Sequence, residues 1–567
     1  MGKDRSLVCP DRRGQPGSQA GLVDGLPGRR KIIPRLTAGD GNKNTKETIM
    51  SGSKKTFYVT TPIYYVNDKP HIGHAYTTLA CDVLARFKRL DGYDVKFLTG
   101  TDEHGQKVEK SAETAGISPQ ALADMNSANF RELAARLNCS NDDFIRTTEP
   151  RHVASVQALW NKLVQSGDIY LGHYEGWYSV RDEAFYGEDE LVAGPNGGKL
   201  APTGAPVEWV KEPSYFFRLS AWQDKLLQWY EDNPDCVAPQ SRRNEVMSFV
   251  KGGLQDLSVS RTSFKWGIPV PGDADHVMYV WLDALTNYIT AVGYPEQDGD
   301  YARYWPADLH MVGKDIVRFH AVYWPAFLMA AGIKPATRVF AHGWWTNEGQ
   351  KISKSVGNVI DPLGLIEKYG LDQVRYFLLR EVPFGNDGDY SHRAMVMRMN
   401  SELANDYGNL AQRVLSMVGK NCGNAVPVHG DFNDDDREML DAAHGLLHKL
   451  RDAMDRQLFH EGLEALWVVI RAANGYVDRQ APWALKKTDP ARMGTVLWVL
   501  AETIRNLALL TQAFMPDSSA KLLDQLAIAA DQRGLAQCGS HHALKPGTPL
   551  PVPQGVFPRF VEEQGAD

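Results

Sequence analysis

The sequence predicts an α/β body on a parallel sheet, interrupted by an inserted domain and followed by an all-α helical bundle. Three observations carry this reading. First, a β-branched and aromatic run from Phe57 to Val66 leads through Asn67-Asp68-Lys69-Pro70 into a helical stretch, Ala75 to Leu90, with Leu79, Val83 and Phe87 on one face. A second strand-like run that ends in a polar loop, Asp94 to Gly105, follows. Strand, helix and strand at this spacing become parallel neighbours, with ligands at the carboxyl ends of the strands. Second, from about 168 to 275 the alternation stops, and short aromatic pieces such as Glu175 to Val180 and Val207 to Val210 stand among glycines and prolines. The α/β pattern resumes at His276 to Ile289 and Leu309 to Gly332. Third, Leu403, Tyr407, Leu410 and Val414 step by four, three and four, and Trp467 to Tyr476 and Val496 to Phe514 continue the helical pattern to about 526.

At 567 residues the chain has room for about three to five domains. It is 43% hydrophobic and 23% charged, which suits a globular protein and excludes a fibrous or wholly disordered one. The net charge of −7 argues against an electrostatic coat for nucleic acid over the whole surface and leaves room for a local basic face. No run reaches the ~18–20 uncharged apolar residues of a membrane span; the most apolar, Met493 to Ala501, stops at Glu502 and Arg505. Cys9, Cys81, Cys139, Cys236, Cys422 and Cys538 form no CxxC pair, so neither a disulfide framework nor a thiolate zinc site is expected, and the setting reads as a reducing cytoplasm. Residues 1–55 contain no aromatic residue, and ten basic against five acidic residues up to Ile49 give +5. Such a segment reads as a disordered extension, or as a mis-assigned start with translation opening at Met50. Asp4, Asp11, Asp24 and Asp40 argue against a transit peptide.

Two short motifs carry chemistry. His71-Ile72-Gly73-His74 falls where the first strand enters its helix. A glycine between two imidazoles at a helix N-terminus lets a nucleotide approach the backbone and offers donors to phosphoryl oxygens. Read alone, the pair is equally two histidines in a turn. Lys351-Ile352-Ser353-Lys354-Ser355, followed by Val356-Gly357-Asn358, offers lysine charge and directional donors to a triphosphate. Read alone, it is a solvated basic loop. Their joint presence, in this order and around an α/β body, is far more specific than either.

With these motifs the sequence resembles the class I aminoacyl-tRNA synthetases, whose signatures read HIGH and KMSKS; only Ile352 for Met departs, a volume-conserving change. Within the class the resemblance is to the methionyl-tRNA synthetases. It rests on Pro62-Ile63-Tyr64-Tyr65-Val66-Asn67, Thr99 to Gly105, Trp281-Leu282-Asp283-Ala284, Gly313 to His320 and Ala481-Pro482-Trp483, and runs from Phe57 to Leu526. It implies a Rossmann-like catalytic domain at 56–340 with a connective insertion at about 168–275. A KMSKS loop and stem-contact region would occupy 341–395, an α-helical anticodon-binding domain 396–530 and a C-terminal tail 531–567.

The resemblance also implies roles. Tyr65, Trp281, Ala284, Tyr288, Ile316, Phe319, His320 and Trp324 would wall a methionine side chain, the backbone near Ile63 would touch it, and an aromatic wall suits its sulfur. Asp102 would hold the substrate ammonium. His71, Gly73, His74, Gly313, Asp315, Lys351, Ser353, Lys354 and Ser355 would bind ATP, with His71, His74, Lys351, Lys354 and Arg261 taking part in catalysis and Arg261 near the leaving pyrophosphate. Trp483 would stack an anticodon base, with Asn400, Asn405 and Arg413 as further contacts or, equally, the polar outer face of a helix. The implied partners are methionine, ATP with Mg²⁺, and tRNA(Met) including the initiator, with no membrane.

Two departures from the family pattern matter. Tyr178-Ser179-Val180-Arg181-Asp182-Glu183 and Ala201-Pro202-Thr203-Gly204 lack the thiolates with which many relatives hold zinc, so no structural zinc and no other metal ligand set is expected. The stretch after Leu526 is too short for an extra dimerisation domain, so a monomer is expected. A synthetase for cysteine or a branched-chain amino acid fits less well, for want of zinc ligands or of a large editing insertion. A small-molecule adenylyltransferase would not need the helical region. A non-catalytic tRNA-binding relic would have no reason to keep His71, His74, Lys351 and Lys354 together.

Overall fold

The computed structural model describes residues 54–562 apart from 68, 183 and 353–356. Except for Lys54 and Lys55, the expectation for residues 1–55 lies outside the described residues, as do Ser353, Lys354 and Ser355.

A parallel sheet of seven strands among the described residues forms the body. Its order is Val237–Ala238, Val339–His342, Leu309–Gly313, Thr56–Thr60, Asp94–Asp102 and Tyr64–Tyr65, with Asp143–Arg146 also pairing Asp94–Asp102. Thr60 pairs with Leu98 on one side and His310 on the other, so the chain leaves the central strand in opposite directions. That reversal opens a crevice at the carboxyl ends of the strands, where Ile63, Asp102, Gly313 and His342 emerge. The helix Ile72–Leu90 packs on the sheet with Leu79, Val83 and Phe87 buried, as the sequence predicts.

The insertion differs from its expected bounds. Its core is an antiparallel sheet, Leu257–Ser258, Glu208–Phe217, Ile169–Ser179 and Ala184–Tyr186, in register from Ile169 opposite Phe217 to Tyr178 opposite Glu208. Between the last two contributions to this sheet, however, the chain returns to the body: Val237–Ala238 forms the edge strand of the parallel sheet, flanked by helices Gln223–Asp232 and Gln240–Lys251. The separate part is therefore nearer 169–217 than 168–275.

Beyond the body, Trp345–Asn347, Gln350–Lys351 and Gly388–Tyr390 make a small sheet. The helical region packs around Pro490–Thr511, whose residues Met493 to Thr511 are all buried. This helix is long and apolar enough to cross a membrane, but its apolar window lies wholly inside the bundle, as the core helix of such an assembly requires. The last stretch is more than a tail. Leu535, Leu544, Leu550, Val556 and Phe557 are buried against the bundle, because apolar residues spaced along a Gly- and Pro-rich segment can each find a groove without forming a helix.

Body and bundle are fastened by a buried charge. Arg375 donates to Asp82 (2.7 Å) on the first helix, to the carbonyls of Leu137 (3.0 Å), Ala513 (3.0 Å) and Phe514 (2.9 Å), and is fully buried with its partner.

Candidate active site and RNA-binding face

The helix Ile72–Leu90 begins with an unusual cap. The Gly73 amide donates to Nδ1 of His71 (3.1 Å), and the His71 amide donates to Nδ1 of His74 (3.1 Å). Because both Nδ1 atoms accept, each neutral ring carries its proton on Nε2, as a donor. The rings lie 3.8 Å apart between centroids. Burial lowers the pKa of His71, against a small opposing effect of Asp315. Burial, reinforced by His71, takes that of His74 well below the usual histidine value. Both are neutral N–H donors at neutral pH. A Cβ on Gly73 would come within 3.0 Å of the His71 ring, so glycine keeps this cap compact.

These histidines line a cavity of about 1140 Å³ in the crevice at the strand ends. Ile63, Tyr65, Asp102, Trp281, Ala284, Tyr288, Ile316 and His320 line it too. Tyr288 Oη and His320 Nε2 are 2.7 Å apart, and His320 Nδ1 lies 2.9 Å from the Ile316 carbonyl. The carbonyl must accept from Nδ1–H, so Nε2 accepts the Tyr288 hydroxyl proton and the pair presents a neutral, polarizable wall. Burial lowers the His320 pKa to about 4. Phe319 and Trp324 stand behind this wall: Phe319 stacks on Trp281, and Trp324 is buried beside Tyr288.

On the other side of the cavity lie Gly313, Asp315, His342, Gly343 and Trp344. A Cβ on Gly343 would sit 2.2 Å from the Asn386 carbonyl oxygen, so only glycine lets the two backbones meet. Trp344 donates through Nε1 to Asp315 (3.1 Å), and Lys314 pairs with Asp387 (2.6 Å). Ile352 reaches the cavity, whereas Lys351 is exposed at the end of its strand, 5.9 Å from the Trp344 ring.

A second cluster lies on the helical domain. Ala481 takes a left-handed conformation (φ 44°) ahead of Pro482, which ends the helix Phe459–Gln480 and turns Trp483 outward, 51% exposed. The Arg413 guanidinium lies 5.8 Å from the Trp483 ring and pairs with Asp478 (3.2 Å). Asn409 is exposed on the same segment, and so is Asn405, whose side-chain oxygen accepts from Arg559.

The class I tRNA synthetase (M) family matches residues 57–415, and the anticodon binding domain of methionyl tRNA ligase matches residues 426–567. This chain belongs to the class I methionyl-tRNA synthetase family. It is 62% identical over 515 residues to the methionine–tRNA ligase of Mesorhizobium japonicum, covering 91% of this chain and 100% of that protein. It is 59% identical to that of Brucella suis, covering 90% and 99%. The structure of Mycobacterium tuberculosis methionyl-tRNA synthetase in complex with methionyl-adenylate superposes with a TM-score of 0.87 at 56% identity, covering 89% of this chain and 100% of that one.

Against this family frame, several expected positions differ. Arg261 does not line the cavity: it is buried at the root of the inserted sheet, donates to Ser258 Oγ (2.7 Å) and the Ser260 carbonyl (2.6 Å), and lies 4.0 Å from the Tyr279 ring. Its strand turns the side chain inward. Asn400 is engaged from both ends of its amide, donating to the Phe560 carbonyl (3.0 Å) and accepting the Phe560 amide (2.8 Å), so it faces the returning C-terminal segment instead of an anticodon. In the insertion, Arg181 donates to Thr203, and Asp182 accepts from Thr203 and Tyr186. Among the described residues no group of three or more His, Cys, Asp or Glu is placed to hold a metal.

Two residues of this family member went unassigned in the sequence. Asp283 lies under the pocket, bonded to His104 Nδ1 (2.6 Å) and His152 Nε2 (2.8 Å). Burial acts to raise its pKa, yet His104 and then His152 hold it at about 2. It joins the loop after Asp102 to the helix of Trp281 and Ala284. Asn409, exposed and four residues before Arg413 on the helix Asn409–Asn421, shares a helix face with that arginine.

Proposed function

We propose that this chain is a methionine–tRNA ligase that works through the side chains gathered at the sheet's crevice. The observation that carries this reading is the meeting, in one cavity, of Asp102 and an aromatic wall with two neutral imidazoles at a helix N-terminus.

Asp102 would receive the substrate ammonium, while Tyr65, Trp281, Tyr288 and His320 enclose the thioether. The methionine carboxylate attacks the α-phosphorus of ATP; the bond from that phosphorus to the α,β-bridging oxygen breaks, giving methionyl-adenylate and pyrophosphate. The nucleophile is already an anion, so no protein base is required. The Nε2–H donors of His71 and His74, with Gly73 leaving room for the phosphates, would stabilise the crowded phosphoryl oxygens. Gly313 and Asp315 would hold the adenosine, and Lys351, Ser353, Lys354 and Ser355 the triphosphate. ATP would enter as its Mg²⁺ complex. In the second step a hydroxyl of the terminal tRNA adenosine attacks the acyl carbon, its proton is lost, and AMP leaves.

Trp483, Asn405, Asn409 and Arg413 would read the anticodon of tRNA(Met), initiator and elongator alike. An exposed indole beside a guanidinium supports base stacking there. The proposal extends to a monomer without structural zinc, in the cytoplasm, a compartment that suits unpaired cysteines.

ATP–pyrophosphate exchange with each amino acid in turn tests the activation step, on protein beginning at Met50, treated with chelator and then given excess Mg²⁺. Exchange with methionine alone is expected. Exchange driven by another amino acid would overturn the pocket, and none at all would favour an adenylyltransferase or a relic.

A further inference from the structure

The C-terminal segment does more than cover the bundle. After the buried Val556 and Phe557 it runs beside the helical segment that starts at His392. Arg559 bonds Asn405, and Phe560 is held at both backbone atoms by Asn400. Its last described residues reach His392. The Phe560 ring lies edge-on to the His392 imidazole (5.6 Å between centroids) and 5.3 Å from Tyr369, and Glu562 is 3.1 Å from His392 Nε2.

His392 is a junction. Its ring meets the Tyr369 hydroxyl (2.5 Å), while its backbone amide donates to the Glu348 carboxylate (3.0 Å). Glu348 forms the turn of the hairpin between Trp345–Asn347 and Gln350–Lys351, in a left-handed conformation (φ 49°). The turn is tied on its other side by the Glu348 amide to the Tyr390 carbonyl (2.9 Å) and the Gly349 amide to Asp389 (2.8 Å). This hairpin ends at Lys351, so its direction decides where that ammonium stands.

We propose that Arg559–Glu562 is a positioning clamp: by seating His392 against Glu348 it fixes the hairpin that presents Lys351 to ATP. The inference rests on the reading of Lys351 as an ATP contact. It assigns Phe560 and His392 no contact with substrate, only with the groups that aim one.

The test compares full-length Phe560→Ala, Phe560→Tyr and Lys351→Ala by ATP–pyrophosphate exchange, with KM for ATP and for methionine and the melting temperature of each. Phe560→Ala is expected to raise KM for ATP about 3–10-fold, within the range of couplings carried by residues outside a site, and to leave KM for methionine unchanged. Phe560→Tyr, which keeps the ring, should restore it. A Phe560→Ala protein with unchanged KM for ATP, or with both KM values raised alike, overturns the clamp when Lys351→Ala raises KM for ATP. An unchanged KM for ATP in Lys351→Ala instead overturns the role of the lysine itself. Should Phe560→Ala not fold, Glu348→Gln at the other end of the relay must shift KM for ATP in the same sense.

Discussion

Trp281 and Phe319 lie face to face, their ring centroids 3.5 Å apart and their planes 7° from parallel. Only the first lines the cavity. The second is a backing plate, fixing the indole so that no ordering remains for the substrate to impose. Phe319→Ala should therefore raise KM for methionine by up to about tenfold, the worth of an aromatic pair, with KM for ATP unchanged. Exchange kinetics at varied methionine and ATP measure both.

His74→Ala removes a donor expected to act on the transition state. It should slow adenylate formation by about 10²–10³-fold, the usual loss for one such donor, and leave methionine affinity within about twofold. Rapid-quench measurement of adenylate against methionine binding separates the two. In the wild-type enzyme both imidazoles are already neutral, so neither should contribute a rate change above about pH 6.5.

Acid should unfold the pocket in a definite window. His320 binds its proton near pH 6.5 in the unfolded chain but only near about 4 when folded. The unfolded state thus holds more protons in between, and the folded state loses on the order of 3 kcal/mol as pH falls from about 6.5 through 4. Asp283, held at about 2, adds a loss only below its unfolded value near 3.8. His320→Gln should flatten the dependence of melting temperature on pH between about 6.5 and 4.

Asp82 and Arg375 make a fully buried pair. Asp82→Ala should cost about 3–5 kcal/mol in urea unfolding, since it strands a guanidinium without its counter-charge. Asp82→Ala with Arg375→Met should recover part of that loss, which a double-mutant cycle measures.

Trp483→Ala should lower kcat/KM for tRNA charging by about tenfold or more, through loss of one stacked base, while pyrophosphate exchange is unchanged. Charging rates with full-length tRNA provide the check.

What the sequence made legible followed the strength of its periodic signals. The first strand, the helix from Ile72 and the bundle helices are long and strongly patterned, and His71, Gly73 and His74 fall at a strand-to-helix junction readable from the residues. Val237–Ala238 is a strand of two residues, too short to show any alternation, so its return to the body was invisible. Asn400 lies within a π-helical run, Arg398–Gly408, whose wider turn defeats a count of 3.6 and rotates it toward Phe560. The last segment looked like a tail because its apolar residues are scattered singly. Asp283 was visible inside a motif, but its two histidine partners are 131 and 179 residues away in sequence, and no local pattern joins them.

Asp168 and Arg218, on either side of the inserted sheet, are already neighbours: the Arg218 amide donates to the Asp168 carbonyl at 2.8 Å, just before Ile169 pairs with Phe217. A chain that leaves and re-enters a body at adjoining points can grow, shrink or be replaced between them without moving anything behind. This stretch is therefore a natural place for engineers to graft a foreign hairpin, and for lineages to diverge in length while the crevice behind it stays the same.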